Sequence, residues 1–131
     1  MSTGVLLDTH VLLWVMSDPR RLTVRAVEEV ERAEHLYISS ITAWEVVMLA
    51  RKRRIDVGPN PGAWVRDAVA LLDIIPLPLS LDVAIESDRL EDYSRQDPAD
   101  RFIIATALNF RVPLVTADEV IRAWKGVETI W

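Results

Sequence analysis

The feature that most constrains this sequence is its alternation of short apolar runs with longer segments of helical period. Five short runs rich in Val, Ile and Leu predict buried strands at Val5–Asp8, Leu36–Ser39, Asp73–Pro76, Leu114–Thr116 and Val127–Ile130. Longer segments with the helical period lie between them, at Val11–Met16, Val24–Glu34, Ile41–Arg53, Gly62–Leu72, Leu81–Tyr93, Pro98–Phe110 and Glu119–Trp124. This order predicts an α/β fold: a three-layer α/β/α sandwich with a five-stranded parallel sheet.

Length and composition narrow the class further. The chain has 131 residues, which predicts one domain over residues 1–131 with a core that needs no disulfide. It has no cysteine, which excludes a Cys nucleophile, an iron–sulfur cluster and a zinc ribbon. No apolar run reaches the ~20 residues of a membrane span, and the start, MSTGVLLDTH, lacks the features of a signal peptide. We therefore expect a cytoplasmic, soluble protein.

The net charge bears on possible partners. A formal charge of −5 argues against a simple electrostatic binder of nucleic acid, because such proteins are usually basic. Net charge is a sum over the whole chain, however, and acids gathered at one site would leave the remaining surface nearly neutral. The placement of the acids therefore decides whether nucleic acid remains a candidate.

Two aspartates follow predicted strands directly. Asp8 ends the first strand, and Asp118 comes just after the strand at Leu114–Thr116. In open α/β sheets, ligand sites collect at the carboxyl ends of the strands. Local roles are also open. Asp8 can cap the following helix, and Thr116-Ala-Asp-Glu119 matches a capping box that would leave Asp118 free.

A third acid lies on the apolar side of a predicted helix. At about 100° per residue, Glu45 falls in one stripe with Ile41 and Leu49, its neighbours one turn away on either side. A charge on a core-facing stripe needs a cation, hydrogen-bond donors or a proton. Two structural explanations remain open: a capping box from Thr42 to Glu45, and an ion pair with Lys52.

The fourth acid lies in the first turn of a helix. Asp97-Pro98 is a strong helix start, with Asp97 as the cap. Asp100 then lies one turn into a helix that is apolar almost all round. An acid at this position also complements the helix dipole, so a purely structural role is open. We assign Asp97 to capping, with a supporting role at a metal site as the second interpretation.

Four acids at strand ends or first helical turns, on one edge of a parallel sheet, favour a common site. Carboxylates that close repel one another and stay ionised only if a cation offsets the repulsion. Oxygen ligands without a His or Cys cluster select a hard ion, Mg²⁺ or Mn²⁺. Such ions serve phosphoryl chemistry, so the residues predict a metal-dependent phosphoryl-transfer or hydrolysis enzyme.

Four blocks of this sequence carry a family resemblance: LLDTHVLLW, ISSITAWEVVMLARK, DPADRFIIATAL and PLVTADEVI. In this order and spacing they resemble the PIN-domain ribonucleases, particularly the VapC-type toxins of bacterial toxin–antitoxin pairs. The resemblance implies a metal site at Asp8, Glu45, Asp100 and Asp118, the acids selected above. It also implies an Mg²⁺- or Mn²⁺-dependent endoribonuclease, an RNA substrate, a homodimer and inhibition by a VapB-type antitoxin.

Residues near the acids fit supporting roles. The hydroxyls of Thr9 and Thr116 could hold a water or a carboxylate, although helix capping explains them equally well. Arg101 could contact a phosphate or form an ordinary ion pair. The one dense basic run could follow an RNA backbone, or it could complement the C-terminus of the Glu45 helix; it consists of Arg51, Lys52, Arg53 and Arg54.

Two other classes of protein stay open. A phosphatase of the haloacid-dehalogenase type also begins with an aspartate after an apolar strand, but it needs a second aspartate two residues on, where this chain has His10. A non-catalytic binding module would use all four acids as caps and ion pairs. Chelator-sensitive RNA cleavage separates a ribonuclease from both classes.

Overall fold

The computed structural model describes residues 4–131. The first three residues of the predicted domain, which also begin the segment examined for a signal peptide, lie outside the described residues. The strands form one five-stranded sheet, in the order β3-β2-β1-β4-β5, and every neighbouring pair is parallel. They are β1 Gly4–Leu7, β2 His35–Ser39, β3 Ile74–Leu77, β4 Leu114–Val115 and β5 Thr129–Ile130. The predicted five-stranded parallel sheet is confirmed.

Seven α-helices between residues 4 and 131 connect and cover these strands. They are α1 Thr9–Ser17, α2 Val24–Arg32, α3 Ser40–Arg51, α4 Pro61–Leu71, α5 Leu81–Ser87, α6 Pro98–Phe110 and α7 Glu119–Ala123, with a 3₁₀ turn at Pro19–Arg21. None of the helices between residues 4 and 131 has the length and apolarity needed to cross a membrane.

The sheet has an apolar layer on each face. Alternate residues of β1 point to opposite sides, so Leu6 joins one cluster with Ile103 of α6 and Ile121 of α7. Leu7 joins the other cluster with Leu12 of α1. Because both faces are covered, the central strands are continuously apolar, and the three-layer α/β/α architecture follows.

The topology fixes where a site can lie. Strand β1 pairs with β2 on one side and with β4 on the other. Strands β2 and β3 are added on one side of β1, whereas β4 and β5 are added on the other, so the strand order reverses between β1 and β4. Ligands of open parallel sheets bind at such a switch point, outside the carboxyl ends of the strands. The segments that follow β1 and β4 carry Asp8 and Asp118.

Several predicted helices end earlier than their apolar period suggested, and α3 and α5 bear on the site. Helix α3 stops at Arg51, and Arg53 takes a left-handed conformation with φ 57°. Helix α5 stops at Ser87, whose hydroxyl donates to the Ala84 carbonyl one turn back. Such a side-chain bond competes with the helical ladder. Residues 88–97 therefore form an irregular segment instead of the predicted helical extension to Tyr93.

Candidate active site

Asp8 lies between β1 and α1 and is almost fully buried, at 8% exposure. One carboxylate oxygen accepts from the Thr9 amide at 2.8 Å, which makes Asp8 the cap of α1. The other oxygen accepts from the Thr116 hydroxyl at 2.6 Å. Burial raises the pKa of Asp8, although both hydrogen bonds act in the opposite direction. The capping role and the position at the sheet edge are therefore both real.

Glu45 lies inside α3, on its buried face, at 9% exposure. The helix begins at Ser40 with Ser39 as its cap, so the predicted capping box from Thr42 is wrong: Thr42 is already within the helix. Lys52 is exposed at the C-terminal end of α3 and forms no ion pair with Glu45 in the described part of the chain. Burial raises the pKa of Glu45 to about 7, and the charges of Asp8 and Asp100 act in the same direction.

Asp100 occupies the first turn of α6, as the sequence predicted, and Asp97 caps that helix by accepting from the Ala99 amide at 2.9 Å. Burial raises the pKa of Asp100 to about 6, and the charges of Asp97 and Asp8 add to the effect. A hydrogen bond from Arg95 opposes it. Asp100 is thus held in a crowded anionic environment with one nearby cation.

Asp118 caps α7, so the predicted capping box from Thr116 to Glu119 is wrong. Its carboxylate accepts from the Val120 and Ile121 amides, and Glu119 is an exposed first residue of the helix. Burial raises the pKa of Asp118, but the hydrogen bond from Arg95 and the two amides outweigh burial and hold that pKa below its usual range.

Arg95 is the functional residue that the sequence patterns did not select. One guanidinium nitrogen donates to Asp100 Oδ2 at 2.7 Å and to Asp118 Oδ2 at 2.5 Å. It is therefore a cation shared by two acids of the site. The available signal was its position two residues before the Asp97 cap, since a helix N-terminus disfavours positive charge unless acids compensate for it.

The hydroxyl groups link the acids. Thr116 donates to Asp8 and accepts from the Asp118 amide at 3.1 Å, so one hydroxyl orients two acid-bearing segments. The hydroxyls of Thr9 and Thr42 lie 3.1 Å apart and are buried. A hydrogen bond with Thr9 also lowers the pKa of Glu45. The supporting positions predicted for Thr9 and Thr116 agree with this geometry, and Thr42 adds a third hydroxyl.

Comparison with known proteins defines the family. The model of the PIN domain matches residues 5–126, nearly the whole chain. The chain belongs to the PIN-domain family. It is 33% identical over 134 residues to ribonuclease VapC22 of Mycobacterium tuberculosis, with 98% of this chain and 99% of that protein covered.

Solved structures agree with this assignment. A toxin–antitoxin complex from Klebsiella pneumoniae matches with 26% identity and a TM-score of 0.61, covering 87% of this chain and 86% of that chain. VapBC2 from Rickettsia felis, bound to a promoter DNA fragment, matches with a TM-score of 0.69 at 13% identity, covering 96% of each chain. The second likeness concerns the fold alone.

Arg101 has a structural role in this PIN domain, and the ion pair considered for it is not found among the described residues. Its guanidinium donates to three backbone carbonyls, those of Ser87, Tyr93 and Arg95, at 2.9–3.1 Å. The same group lies over the Tyr93 ring at 5.5 Å. Arg101 therefore forms no ion pair among the described residues and instead fixes the irregular segment that carries Arg95.

The basic run is only partly helical. Arg51 ends α3, whereas Lys52, Arg53 and Arg54 lie in the turn that follows, all with exposed side chains. Three arginines of the run line an open groove of about 770 Å³, together with residues 55–59; Lys52 is not among the groove residues. Both histidines are exposed: His10 contacts Trp14, and its charge acts to lower the pKa of Asp8, whereas His35 contacts Tyr37.

Proposed function

We propose that this PIN domain is a divalent-metal-dependent endoribonuclease and the toxin of a type II toxin–antitoxin pair. The observation that supports this function most is the group of four acids at the carboxyl edge of the sheet. Two of these acids, Asp8 and Asp118, follow β1 and β4, the strands on either side of the switch point. Buried acids that raise one another's pKa are typical of a site that binds a cation or transfers protons. The 33% identity to a VapC ribonuclease supports the choice of reaction.

The donor chemistry of the site fits Mg²⁺ or Mn²⁺. We propose that Asp8, Glu45, Asp100 and Asp118 hold the ion, since all four offer carboxylate oxygens and no His or Cys competes for a softer metal. As the side chains are placed, no group of three such residues between residues 4 and 131 is arranged around one point. An ion bound there would activate water and stabilise charge on the attacked phosphate.

The protein residues have separate tasks in this scheme. Thr116 holds the Asp8 carboxylate and, through the Asp118 amide, keeps the two strand-end acids in register. Glu45 lies on the buried face of α3 and is therefore kept from bulk water. The exposed arginine groove beside the end of α3 would bind the RNA phosphates, because several cations along an open surface match a polyanion.

A VapB-type antitoxin is the proposed partner. The solved neighbour from Klebsiella pneumoniae is a toxin–antitoxin complex. This chain offers an apolar groove of about 410 Å³ between α3 and α4, lined by residues that include Val47, Val65 and Val69. An amphipathic segment of a partner could bury its apolar side there. The homodimer stays a prediction.

RNA cleavage with purified protein tests the reaction. We expect cleavage with Mg²⁺ or Mn²⁺, none with EDTA, and 5′-phosphate and 3′-hydroxyl ends, because an attacking water needs no 2′-hydroxyl nucleophile. Asp8→Asn and Asp100→Asn should abolish cleavage with the fold intact. Asp82→Asn, at an exposed position on α5, is the matched control and should cleave normally.

Three outcomes would contradict this proposal. Full RNA cleavage by both Asp8→Asn and Asp100→Asn would show that these acids do not form a metal site needed for the reaction. Cleavage of small phosphomonoesters, with RNA left intact, would favour the phosphatase class. A chain that is harmless when expressed alone, that cleaves no RNA, and that does not co-purify with the product of a neighbouring small gene would contradict the toxin assignment.

A further inference from the structure

One guanidinium nitrogen contacts two acids of the site at once. Arg95 Nη1 lies 2.7 Å from Asp100 Oδ2 and 2.5 Å from Asp118 Oδ2. A Mg²⁺ ion held by both oxygens would lie about 2.0–2.1 Å from each of them. The ion and the guanidinium nitrogen cannot both lie between the same two oxygens, since their positions overlap and their charges repel.

The backbone that carries Arg95 is held in place, whereas the side chain is accessible. Arg101 donates to the carbonyls of Ser87 and Tyr93, which precede Arg95, and to that of Arg95 itself. Tyr93, two residues earlier, is 4% exposed and packs edge-on against Trp124. The Arg95 side chain keeps one third of its surface exposed. Its head group can therefore turn into solvent without movement of the chain around it.

The electrostatic balance explains why Arg95 lies there. The site has four acids, and Arg95 is the basic residue that forms ion pairs with them in the described part of the chain. Without a cation, Asp100 and Asp118 would repel each other beside Asp8: the charge of Asp118 raises the pKa of Asp8, and the charge of Asp8 raises the pKa of Asp100. A guanidinium shared between two carboxylates removes that repulsion through charge-assisted hydrogen bonds.

We propose that Arg95 is a built-in counter-ion of the acid site and competes with the divalent metal for Asp100 and Asp118. The proposal rests on the metal site of the proposed function and adds a regulation to it. Metal binds only to molecules in which Arg95 has turned away, so the apparent metal affinity is lower than that of the acids alone. The metal-free protein gains stability from the same contact.

The test is Mn²⁺ binding by isothermal titration calorimetry on EDTA-stripped protein, without RNA. Arg95→Gln should bind Mn²⁺ about tenfold more tightly than the wild type, within the usual range of coupling between two ligands. The matched control is Arg89→Gln, which removes the same charge at an exposed position of the same segment and should bind like the wild type. Circular dichroism confirms that each variant is folded.

A second readout uses stability. Arg95→Gln should melt at a lower temperature than the wild type without metal, and Mn²⁺ should raise its melting temperature by more. Arg95→Lys keeps the charge but loses the planar fork, and its Mn²⁺ affinity should lie between those of the wild type and Arg95→Gln.

The outcomes separate this inference from the proposed function. Unchanged or weaker Mn²⁺ binding by Arg95→Gln overturns the competition, even if the wild type binds Mn²⁺ and cleaves RNA. Equal gains in Arg89→Gln also overturn it, because the effect would then be one of net charge. Tighter Mn²⁺ binding by Arg95→Gln, in a protein that cleaves no RNA, supports the competition between Arg95 and the metal and contradicts the proposed ribonuclease activity. Absence of Mn²⁺ binding in the wild type and in every variant overturns both the competition by Arg95 and the metal site of the proposed function.

Discussion

At the scale of single residues, each acid of the site carries a local structural role as well as a shared one. Asp8 and Asp118 cap the helices that follow their strands, and Asp100 lies in the first turn of α6. A cap leaves part of the carboxylate free, because an amide occupies only some of its acceptor positions. The capping role therefore does not exclude metal binding at the same residue.

Glu45 is the acid without such a cap, and its burial predicts a measurable pH dependence. Its pKa is raised from 4.5 to about 7 in the folded chain, chiefly by burial. The unfolded chain then releases this proton at lower pH than the folded chain. The contribution of Glu45 to the free energy of unfolding of the metal-free protein should therefore be fully present below about pH 4.5 and should fall by about 3 kcal/mol as the pH rises through 7.

Urea unfolding in EDTA between about pH 5 and pH 8 measures this effect. In Glu45→Gln the contribution of residue 45 should vanish, so the variant should be more stable than the wild type at pH 8 and differ little from it at pH 5. Glu28→Gln, at an exposed position on α2, should follow the wild-type curve. Parallel curves for the wild type and Glu45→Gln would show that Glu45 is not the group responsible.

At the scale of elements, the segment between α5 and α6 depends on a residue outside it. Residues 88–97 have no helix or strand of their own, and Asp92 adopts a left-handed conformation with φ 63°. Their position is set by Arg101, whose fork satisfies three carbonyls, and by the burial of Leu90 and Tyr93 in the core. The backbone of Arg95, the site residue on this segment, is therefore held in position by Arg101 of α6.

Arg101→Lys should loosen this segment. Lysine keeps the charge but cannot reach three carbonyls at once, and hydrogen bonds to charged groups contribute about 1.5–3 kcal/mol each. We expect a loss of about 2–4 kcal/mol in the free energy of unfolding and faster amide exchange in residues 88–97. Arg122→Lys, exposed on α7, is the control. If Arg101→Lys were as stable as this control, the bonds of Arg101 would not hold the segment.

At the scale of the whole molecule, a net charge of −5 coexists with a proposed RNA-binding surface. The acids that dominate one part of the sheet edge are buried or half-buried, whereas the arginines of the basic run are exposed around an open groove. Attraction of a polyanion depends on the local arrangement of charge more than on the sum. The net charge of this chain is therefore compatible with binding of nucleic acid at the exposed arginines.

The groove can be tested in an Asp8→Asn background, in which the RNA should survive. Replacing the three groove arginines Arg51, Arg53 and Arg54 by Gln should weaken binding to single-stranded RNA, and the slope of log affinity against log salt should fall by about 0.7 per lost phosphate contact. Fluorescence anisotropy across a salt series measures both quantities. Lys52→Gln, next to the groove arginines, should have little effect. An equal effect per charge at Lys52 would indicate nonspecific attraction.

The sequence by itself determined the layer order, the parallel sheet and the positions of the four acids. These features follow from local signals: apolar runs, helical period and cap residues act over a few neighbouring positions. The parallel topology then brings every strand end to one edge, so acids at strand ends become neighbours without any knowledge of side-chain contacts. Both capping boxes were wrong because another favoured cap residue lies within three positions and caps the helix instead, Ser39 for α3 and Asp118 for α7.

Only the tertiary structure decided how the acids are neutralised and held. Arg95 meets Asp118 across 23 positions of sequence, and Thr116 meets Asp8 across 108. Irregular segments have no periodicity that predicts the direction of a side chain, so the role of Arg95 depends on where Arg101 fixes its backbone. A long, flexible cation takes its position from the charges that the folded chain presents to it, and those charges come together only when the sheet has formed.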